Sequence, residues 1–441
     1  MRTTEARRRA SCPRYVFLRR GGSTGRRRPE PRLLRLHGLR RNGRPLFSPR
    51  PRGTGAIRSA AAKPGGAAAG RPLRRHETLS LVPHPQARHA MNALYHTWQR
   101  YRSTRTHRLH ALPIAILMPH GGCNCRCVMC DIWKGNRDAR QLSADDISGL
   151  LASFRRLGTQ QVLLSGGEAL LHPSFFQLCA LLKGEGLFLT LLSTGLTLER
   201  HAALLVTAVD EVIVSLDGDP ATHDAVRNVP GAFGKLKAGV QALKSLNPRF
   251  RIGARCVIHK WNFRNWSLIV DTARDLGADL VSFLPADVSS SAFNRADPWS
   301  ADRQGDVLVP EEDLGELEAV LEALLVRQHK AVATRFILES PEKLRAIVAY
   351  YRAAHGRDDF PRRRCNAPWV SAVVEADGSV RPCFFHGAFG NIHREGFDAA
   401  LNGPAARAFR RRLDTGQNDT CRRCVCALYL PPHKSPCPPA S

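Results

Sequence analysis

Residues 111–130 read ALPIAILMPHGGCNCRCVMC: an apolar run, then a proline and a glycine pair, then a loop with four cysteines. An apolar run that ends in proline and glycine predicts a buried β-strand followed by a turn. Cys123, Cys127 and Cys130 bring three thiolates together from one short loop, which suits an iron–sulfur cluster. Because all four cysteines are close in sequence, a zinc site that also uses Cys125 is the alternative.

The chain beyond this loop alternates between helical and strand patterns up to residue 284. Strands are predicted at residues 161–165, 188–193, 211–216, 251–259 and 280–284. Helices are predicted between them, at residues 144–157, 173–183, 199–209, 233–246 and 265–276. Short strands rich in Val, Ile and Leu, separated by helices, predict an α/β fold with a parallel sheet covered by helices. Right-handed crossovers coil such a sheet toward a full or partial barrel, and barrel sites lie at the carboxyl ends of the strands. The cysteine loop is at such a strand end.

The C-x3-C-x2-C spacing resembles the signature of the radical S-adenosylmethionine (SAM) superfamily. The resemblance implies a partial (β/α)6 barrel and a [4Fe-4S] cluster on Cys123, Cys127 and Cys130 whose open iron binds SAM. It also implies reductive cleavage of SAM to methionine and a 5′-deoxyadenosyl radical, which abstracts hydrogen from a substrate. The residue before the last cysteine is usually aromatic in this family, whereas here it is Met129, expected near the adenine.

Other predicted strand ends carry residues that the resemblance connects with SAM. Gly166, Gly167 and Glu168 form a GGE segment, which binds the amino group of SAM in the family. Glycines let the backbone approach a ligand closely, and a glutamate complements an ammonium group. Three strand residues complete the predicted SAM-binding set: Ser193, Ser215 and Arg255, the last with a surface ion pair as its alternative role.

Residues 215–227 read SLDGDPATHDAVR. This segment is similar to a stretch of radical SAM enzymes that carry a C-terminal SPASM-type module. Asp217 and His223 are candidates for the substrate face. A turn-forming Asp-Gly pair and a hydrogen-bonded loop histidine explain them equally well.

A second group of cysteines lies near the C-terminus, at Cys365, Cys383, Cys421 and Cys424. The Asp-Gly pair at 377–378 predicts a hairpin turn that brings the first two together. The group resembles SPASM/twitch modules, which bind auxiliary [4Fe-4S] clusters, and a zinc ribbon is the competing interpretation. The remaining cysteines, Cys426 and Cys437, lack the spacing of the full SPASM pattern. One fully ligated auxiliary cluster is therefore predicted rather than two.

Composition divides the chain into five segments. Residues 1–90 hold 23 Lys and Arg but only 3 Asp and Glu, and are expected to be disordered. They are an over-extended start, a transit peptide or a nucleic-acid-binding tail. The predicted core barrel covers 108–290, a linker with helices 291–357, the cysteine-rich module 358–430 and a proline-rich tail 431–441.

Charge and hydropathy exclude several classes of protein. Most of the net charge of +28 lies in residues 1–90, so no nucleic-acid partner is expected of the remainder. No apolar run approaches the roughly 20 residues of a membrane span. Clustered cysteines without a visible secretion signal indicate metal sites in a reducing compartment, the cytoplasm.

The sequence therefore predicts a radical SAM enzyme that acts on a small-molecule or peptide substrate. An auxiliary cluster would accept the substrate's electron, and a flavodoxin- or ferredoxin-type protein would be the reductant. Residues 91–110 are too few for a peptide-recognition domain, which slightly favours a small molecule. The alternatives are a maturase of ribosomal peptides or protein side chains in the same superfamily, and a zinc-containing, non-catalytic nucleic-acid-binding protein.

Overall fold

The structure, a computed structural model, describes residues 85–295 and 297–437. Residues 1–84, which belong to the segment predicted to be disordered, lie outside the described residues. Residues 438–441 at the end of the proline-rich tail lie outside them as well. Helix α1 (Pro85–Thr106) begins inside the segment 1–90 that is expected to be disordered.

Six parallel strands form the main sheet in sequence order, β1 next to β2 and so on to β6. The strands are β1 (Ile114–His120), β2 (Gln161–Gly166), β3 (Phe188–Ser193), β4 (Glu211–Ser215), β5 (Arg251–Ile258) and β6 (Leu280–Pro285). The helices between them are α2 (Ala144–Leu157), α3 (Phe175–Gly184), α4 (Leu198–Ala208), α5 (Pro220–Arg227), α6 (Ala232–Leu246) and α7 (Trp266–Leu276). The predicted α/β fold is confirmed, with a sheet that stays open.

Local sequence signals explain where these helices begin and end. Ser143 caps α2 and forms a capping box with Asp146, and Gly158 ends the helix in the left-handed region at φ 62°. Helix α5 is not among the predicted helices because it is short. Its signals are present nevertheless: Asp219 accepts from the backbone of Thr222, and proline occupies the first turn.

The two faces of the sheet differ in chemistry. Strand residues that face the helices are fully buried, and on this face the Trp266 ring packs edge-to-face on Phe283 at 5.5 Å. The opposite, interior face carries polar side chains at the amino edge of the sheet. There Thr190 donates to Glu211 at 2.8 Å, and Glu211 pairs with Arg251 at 3.4 Å. Glu211 and Arg251 are the first residues of β4 and β5, so this group lies at the opposite end of the strands from the cysteine loop.

The cysteine-rich C-terminal region extends the same sheet. Strand β7 (Ser371–Val374) pairs parallel with β1, and β8 (Ser379–Arg381) and β9 (Gly390–Asn391) continue antiparallel, which gives nine strands in the order β6-β5-β4-β3-β2-β1-β7-β8-β9. The remaining helices are α8 (Ala301–Gly305), α9 (Leu314–Arg327), α10 (His329–Ala333), α11 (Pro341–Ala354), α12 (Ala367–Val370), α13 (Phe397–Asn402), α14 (Pro404–Arg412) and α15 (Asp419–Arg422). The predicted hairpin at Asp377-Gly378 is present, with Gly378 at φ 82°.

The described end of the chain packs against the sheet near β1. Leu430 joins Ile114, Ile116 and Val373 in a small apolar cluster on the interior face. Farther along, the Cys437 thiol donates to the backbone carbonyl of Gln160 at 3.6 Å, next to the start of β2. None of the helices among the described residues combines the length and the apolar character needed to cross a membrane.

Candidate functional site

The loop of residues 121–130 contains the three predicted ligands Cys123, Cys127 and Cys130 and is called the three-cysteine loop below. It follows β1 directly and lies at the carboxyl edge of the parallel sheet. Cys125 and Cys127 are buried at 1% and 7% exposure, whereas Cys123 and Cys130 are partly exposed. The backbone amide of Cys130 donates to the carbonyl of Cys127 at 3.2 Å, so the loop turns tightly between them. The loop thus brings the three predicted ligands to the predicted strand end.

Backbone contacts fix this loop to α5. The amides of Arg126 and Val128 donate to the carbonyls of Arg227 and Val226 at 3.1 and 3.0 Å. On its other side, the Asn136 side chain accepts from the Cys123 amide and donates to the Cys123 carbonyl, both at 2.9 Å. Helix α5 and the Asn136 side chain thus hold the loop at separate points and give it one defined conformation.

The sulfurs of the loop interact electrostatically. The Cys125 thiol donates hydrogen bonds to Cys123 and Cys127 and lowers the pKa of both; for Cys127, the Arg227 charge contributes as well, and the pKa falls to about 6. Burial raises the pKa of Cys130 to about 12. Bound iron or zinc supplies the positive charge that keeps such a buried thiol deprotonated. The donor set therefore fits a thiolate-ligated metal centre.

The glycine pair after β2 lies against the cysteine loop. A Cβ atom at Gly167 would be 2.1 Å from the carbonyl oxygen of Gly122, and one at Gly166 would be 2.8 Å from that of His120. Gly166 also has φ 113°, where L-residues with side chains are strained. These glycines are required for the close approach of two strand-end loops.

Glu168 is fully buried, and its carboxylate points to the end of β3. It accepts hydrogen bonds from Ser193 Oγ at 3.0 Å and from the Thr194 amide and hydroxyl, both at 2.7 Å. The Leu170 amide donates to the other oxygen at 3.2 Å. Burial raises the pKa of Glu168, and these hydrogen bonds offset part of that effect. Two predicted residues, Glu168 and Ser193, are therefore in direct contact.

Ser215 and Arg255 lie on the interior face of the sheet, away from the Glu168 network. They are register partners in β4 and β5, and Arg255 is paired in turn with Ser282 in β6. The Arg255 guanidinium donates to Ser282 Oγ at 3.2 Å. Its charge also acts on Glu339, where it opposes the rise in pKa that burial causes. Ser193 pairs with Val214, the residue before Ser215, so its side chain faces the other side of the sheet and does not join this group.

The second group of cysteines assembles beside β8. Burial raises the pKa of Cys383 to about 11 and that of Cys421 to about 12, and the neighbouring Cys365 adds to both shifts. The pKa of Cys424 is raised by burial and by its neighbours Cys426, Cys383 and Cys365. Burial and the neighbouring thiols thus raise the pKa values of Cys383, Cys421 and Cys424, and a bound cation would be needed to hold these three as thiolates.

His386 and Cys426 lie next to this group of cysteines, whereas Cys437 lies elsewhere. The His386 ring nitrogen Nε2 lies 3.3 Å from Cys421 Sγ, and the Cys426 amide donates to Cys424 Sγ at 3.4 Å. Cys437 is not part of the group, because its thiol contacts Gln160.

The polar segment 287–306, predicted from its sequence to be a lid or linker, makes contacts that its sequence does not predict. Arg295 donates to the carbonyl of Met129 at 3.3 Å, and Trp299 donates to the Asp131 carboxylate at 2.7 Å. Arg303 contacts the carbonyl of Val128. This segment therefore packs on the cysteine loop. Arg is no more frequent in this segment than in the whole chain, so its composition does not predict these contacts.

Comparison with known proteins gives two matches to protein families. Residues 117–272 match the radical SAM superfamily, and residues 365–425 match the SPASM iron–sulfur cluster-binding domain. The matched ranges include the three-cysteine loop and the four-cysteine group, respectively.

Relatives of known function support the same assignment. The chain is 29% identical over 300 residues to PqqA peptide cyclase of Streptomyces rochei, which covers 65% of this chain and 74% of the cyclase. It is 32% identical over 161 residues to AdoMet-dependent heme synthase of Methanosarcina barkeri, covering 36% of this chain and 46% of that enzyme, so this match spans less than half of the synthase.

A solved structure has the same fold. Streptococcus suis SuiB bound to the precursor peptide SuiA superposes with a TM-score of 0.52 at 14% identity, over 79% of this chain and 78% of SuiB. At this identity the likeness concerns the fold alone. The family matches, the relatives and the fold agree with one another: residues 117–272 form a radical SAM domain and residues 365–425 form a SPASM-type iron–sulfur cluster-binding domain.

Proposed function

We propose that Cys123, Cys127 and Cys130 hold the [4Fe-4S] cluster at which this enzyme cleaves SAM. When bound, the cluster passes one electron to SAM, which yields methionine and a 5′-deoxyadenosyl radical that abstracts hydrogen from the substrate. The observation that carries this proposal is the close packing of the cysteine loop on the glycine pair after β2, where Gly167 contacts Gly122. It brings the thiols to the SAM-binding segment.

The other predicted residues divide between two parts of the SAM site. Gly166 and Gly167 allow SAM to approach the backbone, and Glu168 with Ser193 supplies a buried negative charge near the ammonium group. All the hydrogen-bonding groups that contact the Glu168 carboxylate are donors, which favours its ionised form. Met129 borders the same loop and is proposed to lie near the adenine.

On the interior face, we propose that Ser215 and Arg255 bind the ribose and carboxylate of SAM. A guanidinium group suits a carboxylate because it donates two parallel hydrogen bonds. Its contact with Ser282 orients Arg255 toward the interior of the sheet.

Cys365, Cys383, Cys421 and Cys424 are proposed to ligate one auxiliary [4Fe-4S] cluster. Four ligands leave no open iron, so this cluster would carry electrons and would not bind the substrate. Its position beside β8, in the sheet that contains β1, provides a direct connection with the SAM site.

Two substrate classes have support from the relatives. PqqA peptide cyclase has a peptide substrate by its name, and its match covers 65% of this chain. The heme synthase makes a small molecule, and its match covers 36% of this chain. We therefore propose a peptide substrate first and a small molecule second, reversing the slight preference drawn from the sequence. A flavodoxin- or ferredoxin-type reductant and a cytoplasmic location are proposed from the need for low potential and free thiols.

We propose domain limits that follow the sheet. The catalytic core covers 108–290, the linker and helices 291–357, and the auxiliary module 358–430, followed by the tail 431–441. The core strands, from Ile114 to Pro285, fall within the first range, and β7 to β9 fall within the third.

Anaerobic reconstitution of the full chain tests the proposed function. We expect about eight irons per chain from two four-iron clusters, and 5′-deoxyadenosine after addition of SAM and dithionite. Deuterium transfer from labelled candidate peptides and tetrapyrroles into 5′-deoxyadenosine would identify the substrate class. A colourless protein with two zinc ions and salt-sensitive binding to nucleic acid would instead support the zinc alternative.

A further inference from the structure

Two buried arginines from different elements contact the three-cysteine loop, one at Cys127 and the other at Met129. Arg227 comes from the end of α5, and Arg295 comes from the segment after β6. Their exposures are both 7%, and the partner of each is a buried aspartate, Asp217 or Asp287. Burial of an ion pair has a desolvation penalty that can exceed the Coulombic attraction between the two charges. Two such pairs at one loop therefore require an explanation other than stability.

Arg227 connects Asp217 with a cysteine sulfur. Its Nε donates to Asp217 Oδ2 at 2.6 Å, and its Nη1 donates to Cys127 Sγ at 3.5 Å. The guanidinium group therefore bridges the Asp217 carboxylate and the Cys127 sulfur.

Arg295 contacts the loop at a backbone carbonyl. It donates to Asp287 Oδ2 at 2.8 Å and to the backbone carbonyls of Asp287 and Met129 at 3.0 and 3.3 Å. Its guanidinium lies 3.9 Å from the centroid of the Trp299 ring. Four contacts hold this charge beside the residue that precedes Cys130.

Positive charge next to an iron–sulfur cluster has a defined effect on its redox equilibrium. Reduction adds one negative charge to the cluster, so a fixed cation nearby stabilises the reduced form. The effect is strong where water is excluded, and hydrogen bonds to the cysteine sulfurs act in the same direction. An arginine in this position thus promotes reduction of the cluster.

We infer that Arg227 and Arg295 are positioning residues that hold the cysteine loop and raise the reduction potential of the cluster bound there. Asp217 and Asp287 orient the two guanidinium groups and moderate their charge. This inference rests on the proposed function, since it requires a cluster on Cys123, Cys127 and Cys130.

The test is an anaerobic redox titration of the reconstituted full chain, followed by EPR. The relevant signal is the one that changes on addition of SAM, which separates this cluster from the auxiliary one. We expect Arg227→Gln to decrease the ratio of reduced to oxidised cluster about tenfold at a fixed potential. This corresponds to about 59 mV for a one-electron couple. Arg295→Gln is expected to act in the same direction.

Two further variants separate charge from packing. Asp217→Asn removes a negative charge and is expected to shift the ratio in the opposite direction, whereas a merely structural role would give the same direction or none. Arg227→Lys keeps the charge and is expected to keep a ratio near that of the wild type. Arg345→Gln removes an arginine from an exposed ion pair with Glu322 and serves as the matched control.

The possible outcomes are distinct. An unchanged ratio of reduced to oxidised cluster in Arg227→Gln, with full iron content, overturns the inference. A shift in Arg227→Lys as large as that in Arg227→Gln overturns it as well. If Arg227→Gln assembles no cluster, Asp217→Asn decides: an increased ratio supports the inference, and a decreased or unchanged one overturns it. Absence of a SAM-responsive cluster in the wild type would refute the proposed function itself.

Discussion

Gly167 lies so close to Gly122 that a Cβ atom on Gly167 would be 2.1 Å from the Gly122 carbonyl oxygen. The neighbouring amide of Glu168 donates to the same oxygen at 2.9 Å. The loop after β1 and the loop after β2 are thus joined backbone to backbone. This contact aligns the cysteines with the predicted SAM-binding segment, and several predictions depend on it.

Gly167→Ala should displace the cysteine loop, because the new methyl group would overlap a backbone carbonyl that cannot rotate away. We expect loss of most of the SAM-responsive cluster and of 5′-deoxyadenosine formation, measured by iron analysis and chromatography. Gly149→Ala is the matched control. Nothing lies within 4 Å of its Cβ position in helix α2, so it should be neutral or stabilise the protein by roughly 0.5–1 kcal/mol. Equal iron content in both variants would contradict this prediction.

Cys127→Ala and Cys125→Ala should differ strongly although both thiols are buried. The three-ligand site does not use Cys125, so its alanine variant should keep iron and SAM cleavage. Cys127→Ala should lose the SAM-responsive cluster and all SAM cleavage. A zinc site with four thiolates predicts instead that either change removes metal. Iron and zinc content with SAM cleavage rates distinguish the two cases.

Cys421→Ala should remove the auxiliary cluster and leave the first cluster in place. We expect about half of the iron to remain, together with SAM cleavage that is uncoupled from product formation. Cys437→Ala is the control, because that thiol contacts the carbonyl of Gln160. Normal product formation by Cys421→Ala would exclude an essential role of the auxiliary cluster in electron transfer.

Two buried histidines should make the protein less stable at acidic pH. Burial and the Arg227 charge lower the pKa of both His223 and His259 to about 3. Below about pH 6.5 the unfolded chain binds protons at these rings and the folded chain does not, so stability falls as the pH falls. Each ring contributes up to roughly 2 kcal/mol of this loss between pH 6.5 and 5.

Denaturant unfolding at pH 7 and pH 5 measures this effect. His223→Gln should reduce the difference between the two pH values, and a His223→Gln/His259→Gln double variant should reduce it further. If the wild type and both variants lose the same stability between these pH values, the histidines do not have the stated role.

Glu168→Gln should destabilise the junction of β2 and β3. The side-chain NH2 group would face the hydroxyl and amide donors of Thr194 or Ser193, leaving buried donors without acceptors. The expected loss in the free energy of unfolding is about 1–3 kcal/mol, with weaker binding of SAM. Ser193→Ala removes one donor and leaves the others, so its effect should be smaller. A larger effect of Ser193→Ala would argue against Glu168 as the centre of this network.

Sequence periodicity predicted the strands and most helices because each has a strong local signal. Helix α2 and strand β3 have the predicted bounds, 144–157 and 188–193. Helix α5 was missed, since its eight residues are too few for a clear helical period. The attachment of β7 to β1 could not be predicted, because pairing of parallel strands far apart in sequence leaves no local pattern.

The sequence by itself determined the alternating α/β fold, the two groups of cysteines and the strand ends that carry the predicted SAM-binding residues. These features depend on residue type, spacing and hydrophobic period, all of which are local. Only the tertiary structure decided that Arg227 and Arg295 both contact the cysteine loop and that Glu168 binds the end of β3. Such contacts join residues up to 166 positions apart, as in Arg295 and Met129, and they arise only when folding brings separate strand ends to one edge of the sheet.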